Sequence, residues 1–403
     1  MQGGRMAKQS FVNVVIVLMA GAFILFGAAW ASADGKSMLE KSGISVGGFV
    51  DTSYSTNLNE PADRQSNGRV YDTEADSFRM NTAHLFMGKE ATAESRAGFF
   101  VSLDFGKNAD VTAQDGTSAT DQVDFQEAYV NYLLPVGKGL TVTAGKFRTL
   151  AGAEEINSNE NMNFSNSYAF GFGPKTHTGL RLSYDVSSKV GLTLGALNGW
   201  DNLDDNNDAK TLEAGVSLDL TDKVSWNHAI YYGSEQDERT SSQRFFYDTV
   251  MTYTPSSRFK FVTQVNYGKE QQDGARSSAL FDRSEGIFDP DFSDSAFGQN
   301  SRALLGNGGE WNALVGYANY TPTEKLGFTL RGERFDDYEG ARTGIDQTLY
   351  GLTLTSSYQL TPDLMTRLEY RYDISNQNVF GTDAADELSN NQTTIGAQLI
   401  YSF

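Results

Sequence analysis

The stretch "TRLEYRYDI", residues 366–374, alternates between two kinds of side chain without a break. The apolar or neutral set is Thr366, Leu368, Tyr370, Tyr372 and Ile374, and the charged set is Arg367, Glu369, Arg371 and Asp373. Successive side chains of a β-strand point to opposite faces, so this strand would have one apolar face and one ionic face. The fold depends on which of these two faces is turned inward.

The same period of two recurs along the chain from residue 44 onward, and no helical period competes with it. The pattern predicts an all-β protein of about 16 strands in a single domain. The predicted strands are 44–55, 76–88, 95–106, 122–134, 139–148, 176–186, 189–198, 209–220, 223–234, 243–254, 258–270, 309–321, 325–336, 346–360, 364–374 and 391–403.

The connections between these strands are alternately short and long. The short ones are turn sequences such as "PVGKG", "LTDK" and "LTPDL", whereas the long ones are polar. The long loops are 56–75, 107–121, 149–175, 199–208, 235–242, 271–308, 337–345 and 375–390. Short turns at one end and long loops at the other are typical of a transmembrane antiparallel β-barrel.

Aromatic residues cluster near the strand ends on the apolar face, as they do at the two interfaces of a membrane. Tyr54, Phe105, Tyr267, Tyr350 and Tyr372 lie near loops, and Trp226, Phe259, Tyr358 and Tyr401 lie near turns. The chain ends in "IGAQLIYSF", an alternating strand with a terminal aromatic residue. It resembles the last strand that outer-membrane assembly machinery recognises.

The first 33 residues have a different character from the rest. Arg5 and Lys8 precede the apolar run "FVNVVIVLMAGAFILFGAAW", and "ASA" at 31–33 supplies the small residues of a cleavage site. We predict a signal peptide, residues 1–33, cut after Ala33. Residues 34–403 would then form the barrel.

Charge and cysteine content exclude several functions. Of the 32 basic residues, 30 lie after the predicted cleavage site, against 51 acidic residues. This excess of negative charge repels nucleic acid. The absence of cysteine excludes disulfides, thiolate metal sites and covalently attached haem, and we expect no cofactor.

Four segments resemble the outer-membrane proteins of the putative β-barrel porin-2 family. They are "GGFVDTSYSTNLNEP" (47–61), "FQEAYVNYLLPVGKGLTVTAGKF" (125–147), "FGFGPKTHTGLRLSY" (170–184) and "LGALNGWDNLDDNND" (194–208). The resemblance is densest between residues 44 and 220. It implies a pore-forming barrel in a Gram-negative outer membrane, and it does not identify a solute.

A membrane around the barrel requires the ionic face to be inside. A charged side chain facing lipid at the midplane costs about 2–4 kcal/mol for Arg or Lys, so four of them on one strand must face water. A 16-strand barrel is wide enough for an aqueous channel. We therefore expect a porin through which small hydrophilic solutes or ions diffuse. The alternatives are a sheath for a partner such as an electron-transfer cytochrome, and a surface receptor or adhesin using the 271–308 loop.

The third long loop is the candidate constriction, because in general porins the third external loop folds inward. The alternative is a loop that lies across the barrel mouth, where external loops commonly pack. Residues 150–175 contain three acids, Glu154, Glu155 and Glu160, followed by an aromatic and glycine-rich run. The lumen-facing basic candidates are Arg79, Arg181, Arg331, Arg367 and Arg371, and the acidic ones are Glu333, Glu369 and Asp373. Acids facing bases would create a transverse field and a weak cation preference. The alternative is that these charges neutralise their neighbours.

Neither an enzyme nor a metal site is predicted. The three histidines are far apart; we place His84 and His228 at a membrane interface or on the barrel exterior, and His177 in the pore mouth. The oxygen-bearing residues from Asn202 to Glu213 have calcium-loop spacing but lack the glycine at position six. We interpret them as a solvated loop. The expected partners are outer-membrane lipid, lipopolysaccharide and small solutes, and the apolar face also allows a homotrimer.

Overall fold

The computed structural model describes residues 38–113, 122–236, 240–271, 308–385 and 387–403. The predicted signal peptide lies outside the described residues, as does nearly all of the 271–308 loop that the receptor alternative uses.

Sixteen strands close an antiparallel barrel, as the alternation predicts, and apart from the first and last strands, neighbours in the sheet are successive barrel strands in the chain. The barrel strands are β1 (Ile44–Asn57), β2 (Ser77–Lys89), β3 (Ala97–Phe105), β4 (Val123–Leu134), β5 (Leu140–Arg148), β6 (Thr176–Ser187), β7 (Val190–Leu197), β8 (Thr211–Thr221), β9 (Val224–Ser234), β10 (Gln243–Ser256), β11 (Phe259–Glu270), β12 (Gly309–Tyr320), β13 (Leu326–Tyr338), β14 (Gln347–Thr361), β15 (Leu364–Ser375) and β18 (Asn391–Ser402). Two further strands, β16 (Phe380–Gly381) and β17 (Leu388–Ser389), form a small separate hairpin in the eighth long loop.

The first and last barrel strands close the sheet. β1 pairs with β18 from Phe49 opposite Ser402 to Asn57 opposite Thr394. Beyond the last strand, Phe403 and Gly48 exchange two backbone hydrogen bonds of 3.0 Å. Closure leaves no unpaired sheet edge, which is the condition for strands to cross hydrocarbon.

In the described part of the chain, helical structure lies at the ends of the barrel and in loops. It comprises α1 (Met38–Lys41), α2 (Lys107–Thr112), a 3₁₀ turn at Ser158–Glu160 and α3 (Tyr168–Gly171). Within the described ranges, no helix is long and apolar enough to span a bilayer.

The charged face of the opening stretch is turned inward. On β15, Arg367, Arg371 and Asp373 expose 3%, 1% and 0% of their surface, whereas the outward Leu368 exposes 59%. Leucine, valine and aromatic side chains cover the outside of the other strands in the same way. An apolar surface of this extent requires a nonaqueous environment, because its exposure to water is energetically unfavourable.

The inside of the barrel also contains an apolar cluster that the strand pattern does not predict. Trp311, Phe335 and Phe246 point inward from β12, β13 and β10 and are buried with Tyr168 and Phe172 of the third long loop. Phe172 stacks on Phe335 with ring centroids 4.7 Å apart. This cluster provides an apolar surface on which the third loop packs.

Candidate functional site

The third long loop, residues 149–175, lies inside the barrel and is called the inserted loop below. Its first amides donate hydrogen bonds to inward side chains of three successive strands. The pairs are Leu150 to Tyr231 at 2.8 Å, Gly152 to Asp248 at 2.9 Å and Ala153 to Gln264 at 3.2 Å. The chain therefore leaves β5 and follows the inner wall across β9, β10 and β11.

A buried ion pair joins the inserted loop to β13. Glu154 Oε1 lies 2.9 Å from Arg331 Nη1, and both side chains are almost fully enclosed. The other oxygen of Glu154 accepts hydrogen bonds of 2.8 Å from the backbone and the hydroxyl of Ser167. Arg331 also donates to the carbonyl oxygens of Ser165 and Asn166. Charge-assisted bonds of this kind are shorter and stronger than neutral ones.

A charged chain continues from Arg331 along the wall. Arg331 Nε lies 3.2 Å from Glu333, which accepts a 2.6 Å hydrogen bond from the backbone amide of Tyr168. Arg371 bridges Glu333 at 3.4 Å and Asp373 at 2.8 Å. Each charged side chain therefore has an opposite charge beside it, which offsets the free-energy cost of removing these side chains from water.

Arg69 of the first long loop extends this charged chain. It lies 2.8 Å from Asp373 and 2.9 Å from Asp72. The sequence offered no signal for Arg69, because a polar loop residue cannot be assigned to a distant wall by strand parity. The first loop is thus tied to the same wall as the inserted loop.

Two other wall residues bind the backbone of the inserted loop. Glu369 accepts hydrogen bonds from the amides of Phe164 at 2.7 Å and Ser165 at 3.0 Å. Arg367 donates to the carbonyl of Ser158 at 2.9 Å and to that of Asn161. The ionic face of β15 therefore supplies the missing partners of an irregular backbone, as buried peptide groups require.

The middle of the inserted loop reaches the opposite side of the barrel. Ser158 donates to Asp51 on β1 at 2.7 Å, and the amide of Gln126 on β4 lies 2.9 Å from Asn157. Together these contacts connect the inserted loop to β1, β4, β9, β10, β11, β13, β14 and β15.

The returning arm of the inserted loop is held by Lys175. Its Nζ donates to the carbonyls of Phe170, Gly171 and Gly173 at 2.8, 2.9 and 2.7 Å. These carbonyls end α3, where a cation is favourable. Burial of the ammonium nevertheless lowers the pKa of Lys175 to about 8.

The wall formed by β4, β5 and β6 borders open space. A cavity of about 330 Å³ lies there, lined by side chains that include Tyr129, Asn131, Arg148, Glu155 and Arg181. Gly145 and Gly179 are opposite each other in the sheet at this level. Because neither glycine has a side chain, the inner wall is recessed between β5 and β6.

Ion pairs line the border of this cavity. Arg148 lies 2.8 Å from Glu127, 3.2 Å from Glu155 and 3.0 Å from Glu160. Arg181 contacts Glu213 at 2.7 Å. The side chains of Glu155 and Glu160 are 48% and 42% exposed, so this group differs from the enclosed network around Arg331.

The predicted charged residues therefore fall into three groups. Those enclosed between the inserted loop and the wall are Glu154, Arg331, Glu333, Arg367, Glu369, Arg371 and Asp373. Those at the cavity or on its border are Glu155, Glu160 and Arg181. Arg79 is apart from both groups and donates to Tyr71 of the first loop and weakly to Asn108 of the second.

Sequence reasoning missed Arg148 and Glu127, which are central to the cavity. Arg148 is the last residue of β5, and a cation directly before an acidic loop was an available signal. Glu127 follows an irregularity in the pairing of β3 and β4. An extra residue of this kind reverses the parity from which inward residues are identified.

A similar irregularity explains why the exterior placement of His84 is wrong. The register of β1 and β2 shifts between Asp51 and Thr52, which turns His84 inward, where it lies 2.6 Å from Asp104. His228 does face outward and bonds to the hydroxyl of Tyr247 at 2.8 Å. His177 is fully buried against Tyr231 rather than exposed in the mouth.

Metal-ligand geometry is lacking in the parts of the chain that the structure describes, where no cluster of three or more His, Asp or Glu could hold an ion. In the segment with calcium-loop spacing, Glu213 is engaged by Arg181.

A closed barrel with an apolar exterior, a charged interior and a loop folded into its lumen defines an outer-membrane porin channel. The chain belongs to the family described as "Putative beta-barrel porin-2, OmpL-like", whose profile matches residues 43–403. This confirms the resemblance seen in the sequence. Among curated proteins, none matches the chain.

Solved structures with the same fold include an outer membrane channel, a porin and a further outer membrane protein. The outer membrane channel DcaP of Acinetobacter baumannii aligns with a TM-score of 0.58 at 14% identity, over 90% of this chain and 98% of that one. The anion-selective porin from Comamonas acidovorans gives 0.60 at 11% identity, over 89% and 99%. OmpT of Vibrio cholerae in a trimer form gives 0.55 at 10% identity, over 89% and 99%. At these identities the likeness concerns the fold.

Proposed function

We propose that small hydrophilic solutes and ions cross this porin by passive diffusion through a passage between the inserted loop and the wall of β4, β5 and β6. The observation that carries the proposal is the asymmetry of the lumen. The inserted loop is bonded to β13, β14 and β15 on one side. On the opposite side it contacts β4 and β5 through Gln126 and Arg148, and a cavity remains open there beside Arg148. The constriction is then formed by Glu155, Glu160, Arg148 and Arg181.

A weak preference for cations accompanies this path. Two arginines, Arg148 and Arg181, meet four carboxylates in the same ion-paired groups. The enclosed charges around Arg331 balance one another and contribute less to the field in the passage. A local excess of carboxylate raises the concentration of cations in a narrow aqueous path.

The position of the inserted loop favours a channel over a sheath. A barrel that encloses a partner protein needs its lumen free, and here the inserted loop occupies the centre and contacts strands on both sides. A receptor function would use the 271–308 loop, nearly all of which lies outside the described residues.

We further propose a Gram-negative outer membrane as the location, with lipopolysaccharide contacting the long-loop end, and a homotrimer as the assembly. OmpT of Vibrio cholerae, which shares the fold, has a trimer form. Mass measurement of the detergent-extracted protein under native conditions tests the assembly. A single copy of the chain per particle would contradict it.

Export by a cleaved signal peptide is part of the same proposal. N-terminal sequencing of the membrane-extracted protein should begin at Asp34. Retention of residues 1–33 would show that the apolar segment remains attached.

Single-channel recording of the purified protein in planar bilayers tests the main function. We expect steady open channels whose conductance is proportional to bulk salt, as in a water-filled passage. A barrel that inserts and stays closed at all voltages would reject the diffusion pathway.

A further inference from the structure

Three aromatic rings form a row on the inner wall at the short-turn end of the barrel. Phe86, Phe100 and Tyr129 belong to β2, β3 and β4, and this set is called the aromatic row below. Phe86 and Phe100 have centroids 5.8 Å apart with ring planes at 19°, and Phe100 and Tyr129 are 5.7 Å apart at 22°. Consecutive rings are therefore nearly parallel.

Glycines opposite these residues allow two of the rings to lie flat on the sheet. A Cβ atom at Gly47 would come within 2.9 Å of the Phe86 ring, and one at Gly88 within 2.7 Å of the Phe100 ring. Both glycines are the direct strand partners of the rings that cover them. One face of each ring is thus held against backbone, and all three residues of the row remain half-buried rather than enclosed.

The aromatic row leads to the cavity, because Tyr129 belongs to both. Beside Tyr129, the cavity presents flat polar groups: the amide of Asn131, the carboxylate of Glu127 and the guanidinium of Arg148.

We propose that this row and the cavity bind a neutral carbohydrate of two or three sugar rings during its passage, an inference that rests on the proposed diffusion pathway. A sugar ring has an apolar C–H face that packs on an aromatic ring, and hydroxyls at its edge that bond to amide, carboxylate and guanidinium groups. A row of repeated platforms suits a molecule made of repeated rings. The volume of about 330 Å³ is within the range of small-molecule sites, about 300–1,000 Å³.

Two other solute classes fit the site less well. Anions are disfavoured because Arg148 and Arg181 are already paired with carboxylates. Organic cations are typically held in a cage of several aromatic faces, whereas this row offers one face of each ring along a single wall.

Block of single-channel current by added solute tests the inference. With wild-type protein in KCl, we expect maltotriose to interrupt the current at millimolar concentration and choline to have little effect. Phe100→Leu keeps the apolar volume and removes the ring, and it should weaken the maltotriose block about 3- to 10-fold. The matched control is Phe99→Leu, whose parent residue is next along β3 and faces outward opposite Val130.

The outcomes separate this inference from the proposed function. The carbohydrate site is overturned if the channels conduct and maltotriose never blocks them, or if maltotriose blocks Phe100→Leu and wild type equally. Both results leave the diffusion pathway intact. Stronger block by choline than by maltotriose overturns it in favour of an organic cation. Absence of conductance refutes the diffusion pathway itself.

Discussion

Glu154 and Arg331, which are 177 residues apart in the chain, form a 2.9 Å ion pair inside the barrel. Along the inserted loop, it is the first ion pair with the wall formed by β13, β14 and β15. Both side chains are almost fully enclosed, and each also bonds to the loop: Arg331 binds the carbonyls of Ser165 and Asn166, and Glu154 binds Ser167. The pair therefore fixes the position of this part of the loop against β13.

Removal of the charge of Glu154 should destabilise the inserted loop. Glu154→Gln leaves Arg331 without its loop carboxylate, and breaking one member of a buried pair costs about 3–5 kcal/mol. We expect a lower midpoint of urea unfolding in micelles and frequent current fluctuations in bilayers. The control is Glu155→Gln, whose exposed pair with Arg148 contributes about 0–1 kcal/mol. Equal, steady currents in both variants would show that the Glu154 pair does not hold the loop.

Ion selectivity should depend on the exposed acids of the inserted loop. Glu155→Gln combined with Glu160→Gln frees Arg148 from two carboxylates and should lower the permeability ratio of K⁺ to Cl⁻ about twofold or more at low salt. Reversal potentials in a KCl gradient measure this ratio.

The control for selectivity is a double variant that removes the same charge far from the cavity, Asp222→Asn with Glu324→Gln, both in turns at the short-turn end. An anion-selective wild type would contradict the proposed preference. If the control variant loses as much selectivity, the selectivity arises from the net charge of the whole protein rather than from the passage.

Stability should rise with pH through the titration of Lys175. Its pKa is about 8 in the folded protein, below the ordinary 10.5, because the ammonium is buried. Between these values the unfolded chain holds a proton that the folded chain lacks, so the free energy of unfolding increases with pH. We expect the unfolding midpoint to increase from pH 8 to pH 10 relative to Lys175→Met, which has no titrating group. Parallel pH profiles for the two proteins would show that the lysine stays charged in the fold.

A charged residue on the outer face of β15 should destabilise the barrel. Leu368 points outward in mid-strand, and Leu368→Arg should destabilise the barrel in lipid vesicles by about 2–4 kcal/mol. The control is Asn227→Arg, because Asn227 alternates with the outward Trp226 and His228 and faces the lumen side of β9. Equal effects of the two substitutions on the unfolding midpoint would contradict the assignment of faces.

Strand number, strand positions and the inward direction of the β15 charges followed from the sequence, because local alternation and turn residues act within a few positions of each other. The same reasoning failed at His84, where one extra residue in the pairing of β1 and β2 reversed the parity. A bulge depends on how two strands meet, and a single strand contains no sign of it.

Strand periodicity predicts the candidate site only in part. The sequence identifies the acids of the third loop as a group, but it does not show which of them are buried and which are exposed. Glu154 is enclosed against Arg331, and its neighbour Glu155 is half-exposed beside Arg148. Consecutive loop residues have no fixed period, so their directions follow from the surface on which the loop packs.

The alternation alone predicts a closed sheet with an apolar exterior, because a period of two with charge on one side allows no other low-energy arrangement in lipid. Which charges are enclosed, and where open space remains, are properties of the folded barrel as a whole. That outcome depends on contacts between distant residues, such as Glu154 with Arg331, 177 positions apart, and Ser158 with Asp51, 107 positions apart, and on the glycines that recess one wall.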